Sequence, residues 1–168
     1  MLSRTFLWPQ GYTSAAMISV NLDAEFYGRI FYPGIDVSEG DIQRLGWTGM
    51  EYGLPHLLDC FREHGVKGTF FIPGRVAELY PDAVRAIADA GHELGCHGYE
   101  HEILAHFTPE EQLELLKKAK AAIEKAAGRA VTGFRMPEGE ITEQTLVAAK
   151  EAGFAYSSSL SNTDVPYI

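Results

Sequence analysis

The chain shows how it is built in Pro81-Asp-Ala-Val-Arg-Ala-Ile-Ala-Asp-Ala-Gly-His-Glu-Leu-Gly-Cys-His97. Pro81 pre-sets a helical φ and has no donor to leave unpaired, Val84, Ile87 and Ala88 share one helical side, and Gly91 suits the left-handed position that ends a helix. His92 to His97 then reads as a short strand, the one with the weakest strand propensities in the chain, and it ends on a histidine. A helix that hands over through glycine to a short strand is the repeating step of an α/β fold.

The same step recurs on both sides. Upstream, Leu54, Leu57, Leu58 and Phe61 mark a helix closed by His64-Gly65, followed by a strand Gly68-Thr-Phe-Phe-Ile72. Before them, Ala15-Ala-Met-Ile-Ser-Val-Asn-Leu-Asp23 reads as the first buried strand. Downstream, Thr108-Pro-Glu-Glu111 is a capping box that opens a helix to about Ala127, with Leu116, Ala119 and Ile123 facing inward. Val131-Thr-Gly-Phe-Arg135, a helix from Thr142 to Ala152 ended by Gly153, and a strand Tyr156-Ser-Ser-Ser159 complete the series. Alternation of this kind predicts parallel strands wrapped by helices, with chemistry at the carboxyl ends of the strands. Asp23, His97 and Arg135 each close or follow a strand. Between Ala24 and Thr48 the chain is rich in aromatics and glycine (Phe26, Tyr27, Phe31, Tyr32, Gly34, Gly40, Trp47), which predicts a long connection that serves as a lid, a subunit contact or packing over the barrel mouth.

Composition narrows the partners. The 168 residues carry 14 Lys and Arg against 23 Asp and Glu, a formal charge of −9, with no basic run, so neither nucleic acid nor an anionic membrane surface is expected to bind. No stretch approaches the roughly 18 apolar residues of a spanning helix, and Pro9, Gln10 and Gly11 interrupt any signal-peptide core. Cys60 and Cys96 stand apart, which fits buried free thiols in a reducing cytoplasm. A complete (β/α)₈ barrel needs about 250 residues. At 168 residues the chain is one domain that falls short of that length, and its alternation leaves a single layer or a barrel open.

Two of the six histidines fall in His97-Gly-Tyr-Glu-His101. A separation of four brings two imidazoles to one side of a helical turn, and Asp23 at another strand end would complete a His₂-carboxylate set for a divalent cation. The overlapping His101-Glu-Ile-Leu-Ala-His106 is not a zinc-protease helix, because its histidines are five apart and lie some 140° from each other. His56, His64, His92 and His106 are expected at the surface, at caps or around the site.

In combination and in this order, Asn21-Leu-Asp23-Ala-Glu25, His97-Gly-Tyr-Glu-His101 and Phe134-Arg-Met-Pro137 resemble the motifs of the NodB-type polysaccharide deacetylases, carbohydrate esterase family four. Gly68-Thr-Phe-Phe-Ile72 and Gly91-His-Glu-Leu-Gly95 fall where that family has similar segments, and Trp8-Pro-Gln-Gly11 is similar to its cytoplasmic branch, which includes allantoinases. The resemblance implies an α/β fold, a distorted (β/α) barrel with Asp23, His97 and His101 as metal ligands, here a single domain C-terminally truncated after about five βα units, whose exposed edge would be covered by a missing segment or a partner copy, hence a homo-oligomer. It implies hydrolysis of an N-acetylated saccharide, or of another small non-peptide amide, by water activated at zinc, with cobalt, nickel, manganese or iron as alternatives. Arg135 would pair with an acidic base or steady developing negative charge; otherwise it forms a structural salt bridge.

Two departures from the family pattern bear on activity. The family has a base Asp directly or two residues before the metal Asp; at the spacing of two this chain has Asn21, and an amide takes up no proton at neutral pH. Glu25 is the first substitute, since residues 21, 23 and 25 share a face if the strand stays extended, and Glu138 is the second. The family's later Leu-x-His motif, source of the general acid, has no counterpart before Asp164-Val-Pro-Tyr-Ile168. Three readings follow: a metal-dependent deacetylase, a metal-independent allantoinase-like ureide hydrolase, and a catalytically silent homologue.

Overall fold

The computed structural model describes residues 11–27 and 39–160, with the side chains of 39–42 left aside. Trp8, Pro9, Phe31, Tyr32, Gly34 and the segment from Asp164 to Ile168 lie outside the described residues. Five parallel strands, β1 (Ser19–Asn21), β2 (Thr69–Ile72), β3 (Glu93–Cys96), β4 (Gly133–Phe134) and β5 (Tyr156–Ser157), lie side by side in chain order. Each crossover thus lands on the adjacent strand. Right-handed crossovers in unbroken sequence put the helices on one face, as in a barrel wall, whereas a doubly wound sheet reverses its order. Among the described residues β1 and β5 each have one strand neighbour, so the sheet is an open arc.

The two faces differ because side chains alternate along each strand. Val20, Phe70, Ile72, Leu94, Cys96 and Phe134 join the core, which also contains Val76, Ile87, Leu116 and Ile123 from the helices. The register aligns Asn21, Phe71, Gly95, Gly133 and Tyr156 in one row across the other face. Large and small residues alternate there for a steric reason. A Cβ on Gly95 would lie 2.5 Å from Phe71 Cδ1, and one on Gly133 would collide with the Tyr156 hydroxyl. The weak strand propensity of Gly95 is therefore the room that Phe71 occupies.

The helices are α1 (Glu39–Thr48), α2 (Leu54–Glu63), α3 (Gly74–Leu79), α4 (Pro81–Asp89), α5 (Pro109–Ala127) and α6 (Glu143–Glu151), with a π-helical turn at Gly49–Gly53 joining α1 to α2. At the head of α5 the capping box forms: Glu111 N–H donates to Thr108 Oγ1 at 3.3 Å, and Thr108 N–H donates to Glu111 Oε2 at 2.8 Å. No helix among the described residues is long and apolar enough to cross a membrane.

Several boundaries differ from the sequence expectation. The first strand stops at Asn21 instead of reaching Asp23, because Asp23 takes a right-handed helical conformation and a 3₁₀ turn occupies Ala24–Phe26. The supposed long connection after it contains α1, whose Gly46 comes so close to the backbone of Ala24 and Glu25 that no Cβ fits there. The short helix α3, framed by Pro73 and Pro81, spans too few residues to show a periodicity. The last two strands pair over two residues each, and Cys60 is exposed where a buried thiol was expected.

Helix α3 packs closely on α5. A Cβ on Gly74 would sit 2.5 Å from Ala119 Cα and 2.8 Å from Tyr99 Cδ2. Gly74→Ala should therefore lower stability by about 1–3 kcal/mol, read as a lower urea midpoint at unchanged m-value. An unaltered midpoint would show that the two helices do not pack this closely.

Candidate metal centre

His97 directly follows β3, and its backbone N–H continues the ladder to Ile72 O at 2.9 Å. Its ring is oriented from the next strand: Nδ1 lies 2.8 Å from the Arg135 carbonyl. A carbonyl only accepts, so Nδ1 carries the proton and Nε2 presents a lone pair, the arrangement typical of a metal-ligating histidine. His101 returns to the same place by a route other than the expected helical turn. Gly98 at φ 75° and His101 at φ 61° both adopt left-handed conformations, and the loop between them is non-helical. The Glu102 carboxylate holds this loop by accepting the Tyr99 N–H at 2.8 Å and the Glu100 N–H at 2.5 Å. Glu102 was missed in the sequence, although a carboxylate directly after the second histidine, within reach of the loop's free N–H groups, was a usable signal. The two rings end 4.9 Å apart, centroid to centroid.

Asp23 lies between them. Its Oδ1 is 3.7 Å from His97 Nε2, its Oδ2 is 3.7 Å from His101 Nε2, and the candidate ligand atoms of the three residues lie within 4.8 Å of one another. Both histidines are almost wholly buried, at 1% and 2% side-chain exposure. Asp23 Oδ1, His97 Nε2 and His101 Nδ1 are buried without a hydrogen-bond partner among the described residues. Buried polar atoms are almost always paired, and each orphan costs about 1–3 kcal/mol. Two ligand atoms about 2.1 Å from one tetrahedral ion are about 3.4 Å apart. The three residues therefore fit a divalent cation in both donor type and spacing.

Charge placement agrees with this. Burial, and then the neighbouring charge of Glu138, push the Asp23 carboxyl up to about 7. Burial is also the largest cause that depresses His97, to about 4, with the nearby His101 and Arg135 adding and the bond to the Arg135 carbonyl opposing; burial alone depresses His101. Both imidazoles are therefore neutral near pH 7, as ligands must be.

The remaining candidates divide. Arg135 Nη1 donates to Asn21 Oδ1 at 2.9 Å, and Nη2 donates to Ser19 Oγ at 3.0 Å and Ser158 Oγ at 2.8 Å, while the guanidinium lies 4.1 Å from the Phe71 ring centre. These partners are neutral, so neither a pairing with an acidic base nor a salt bridge is what the side chain makes here. Glu25 does not share a face with Asn21 and Asp23, because the 3₁₀ turn breaks the alternation; it accepts from the Tyr80 hydroxyl at 3.3 Å. Glu138 does face the cluster, with Oε1 3.8 Å from His101 Nε2. His92, expected outside the core, is 2% exposed between Phe61 and Phe70 and accepts the Gly68 N–H at 3.1 Å. It is a satisfied core histidine at the amino end of its strand. Burial pushes the Cys96 thiol up to about 12, which leaves it inert.

The polysaccharide deacetylase family model matches residues 47–157. A peptidoglycan deacetylase of Helicobacter pylori is 36% identical over 137 residues, which is 81% of this chain and 46% of that protein. Among solved structures, a Mycobacterium smegmatis protein assigned to the polysaccharide deacetylases superposes with a TM-score of 0.85 at 34% identity, covering 96% of this chain and 56% of that one. A CE4 family pseudoenzyme of Bacillus anthracis superposes at 0.62 with 30% identity, over 65% of this chain and 38% of that one, and a mutant of it with restored enzymatic activity has also been solved. The chain thus spans less than half the length of the curated Helicobacter relative and little more than half of the Mycobacterium structure.

The pH dependence of cation uptake follows from Asp23. Below about 7 its carboxyl holds a proton that an incoming ion must displace, whereas His97, depressed to about 4, has none to release over that range. Titration with Zn²⁺ should show affinity falling about tenfold per pH unit from 7 to 5 and levelling above 8. Affinity that stays constant from pH 5 to 8 would contradict this protonation state.

Proposed function

Because the chain belongs to the polysaccharide deacetylase family, we propose that it removes N-acetyl groups from a saccharide, with a divalent cation held by Asp23, His97 and His101. The observation that carries this reading is the buried trio whose Asp23 Oδ1 and His97 Nε2 have no protein partner. It favours metal-dependent chemistry over metal-free opening of a cyclic ureide, which would have no use for three converging ligand atoms. Two imidazoles and a carboxylate with positions left open suit zinc first, then cobalt, nickel, manganese or iron. Such an ion acidifies water and polarises the acyl carbonyl.

The chain's own residues set the remaining steps. His97, fixed by the Arg135 carbonyl, keeps its lone pair aimed at the ion without reorganising. Arg135 keeps its full charge, since it donates to the neutral oxygens of Asn21, Ser19 and Ser158, and so offers positive potential where negative charge develops on the acyl oxygen. Asn21, with Oδ1 engaged by Arg135, has only its amide NH₂ left to orient water or substrate and takes no proton.

That last point favours a second reading, a homologue that binds but does not turn over. The likeness to a pseudoenzyme for which an activity-restored mutant exists is consistent with it. Assays of acetate release from N-acetylated chitooligosaccharides and peptidoglycan fragments, on wild type and Asn21→Asp, separate the two. Slow wild-type turnover that Asn21→Asp raises by about 10²- to 10⁴-fold, with chelation or His101→Ala abolishing both, supports the deacetylase. Activity in Asn21→Asp alone supports the silent homologue. Chelator-resistant turnover of allantoin with no acetate release from either protein would overturn the proposal.

A further inference from the structure

Pro137 packs against Gly98 so closely that a Cβ there would lie 3.2 Å from Pro137 Cγ, and this contact brings the start of the β4–α6 connection onto the histidine loop. The next residue, Glu138, adopts φ 58° and ψ 0°, a left-handed conformation that is uncommon without glycine and costs on the order of 1–3 kcal/mol. The turn sends its carboxylate toward the cluster. Its Oε1 lies 3.8 Å from His101 Nε2, nearly the same as the two 3.7 Å separations that link Asp23 to the histidines. It stands outside the group of ligand atoms within 4.8 Å of one another that Asp23, His97 and His101 form, so its side chain reaches a shared ion from the His101 side. Two carboxylates held against buried neutral imidazoles, one by a strained backbone, are stable together when a cation sits between them.

We propose that Glu138 is a fourth protein ligand of the divalent cation, an inference that rests on the metal-dependent reading above. The site then has two histidines and two carboxylates, whose charges balance a divalent ion. With four protein ligands, a four-coordinate ion is closed to water, while a five- or six-coordinate ion keeps open positions for substrate. The fourth ligand therefore leaves turnover to an ion that takes five or more ligands, as zinc does on expanding its shell and as Mn²⁺, Fe²⁺ or Co²⁺ do readily.

Co²⁺ is the probe, because its affinity can be titrated and its visible bands report coordination number. Glu138→Gln preserves the side chain's shape and removes its charge, and the cation-free variant should unfold no earlier than wild type. We expect its Co²⁺ dissociation constant to rise at least tenfold, and its weak wild-type band to become the more intense band of a four-coordinate ion. Asp23→Ala should lose Co²⁺ altogether. Wild-type affinity and spectrum in both Glu138→Gln and Glu138→Ala, with binding still lost in Asp23→Ala, would overturn the role of Glu138 and leave the three-residue site standing. Failure of the wild type itself to take up Co²⁺ would overturn the metal-dependent reading along with it.

Discussion

Arg135 ties three strand ends into one structure. Its backbone N–H donates to Cys96 O at 2.8 Å, its carbonyl accepts from His97 Nδ1 at 2.8 Å, and its guanidinium bridges Asn21 and Ser19 on β1 to Ser158 beyond β5. One residue thus continues the ladder, selects the histidine tautomer and spans the sheet between its two outermost strands. The Phe71 ring beneath the guanidinium fills the room left by Gly95, which makes the geometry of the site depend on the small residues of β3 and β4. Parallel pairing in chain order does the rest by delivering Asp23 and His97 to the same edge of the sheet.

Stability and function are separated in space. The core of Phe70, Ile72, Ile87, Leu116 and Ile123 is fully buried and chemically inert, and His92 there is satisfied by a backbone N–H. At the carboxyl ends of the strands lie unpaired atoms of Asp23 and His97, together with left-handed residues at Ala24, His101 and Glu138. These features cost stability locally, and they cluster where ligand contacts would offset them.

Periodicity and caps made most of the fold legible in the sequence. Pro81, the Thr108 capping box and Gly128 set helix limits through local chemistry, which does not need tertiary context. What escaped depends on contacts between distant segments. Strand β1 ends early because Asp23 turns into a 3₁₀ helix against Gly46, and no local propensity encodes that approach. The same turn takes Glu25 off the strand face of Asn21 and hands it to the Tyr80 hydroxyl, since alternation holds only while the backbone stays extended. Asp23, His97 and His101 were legible because each follows a strand, although the histidines converge through a left-handed loop held by Glu102 and not through helical spacing. Glu138 stood second to Glu25 in the sequence reading, yet its carboxylate is the one that lies against His101, through a left-handed backbone conformation that cannot be read from Met136-Pro137-Glu138-Gly139 alone.

The central claim is that Asp23, His97 and His101 hold a divalent cation at the carboxyl edge of the sheet. Anomalous diffraction at the zinc edge, from crystals grown with Zn²⁺, tests it most directly. A peak is expected about 2.0–2.2 Å from His97 Nε2, from a nitrogen of His101 and from an Asp23 carboxylate oxygen. A well-ordered site with no peak between these three side chains would contradict it.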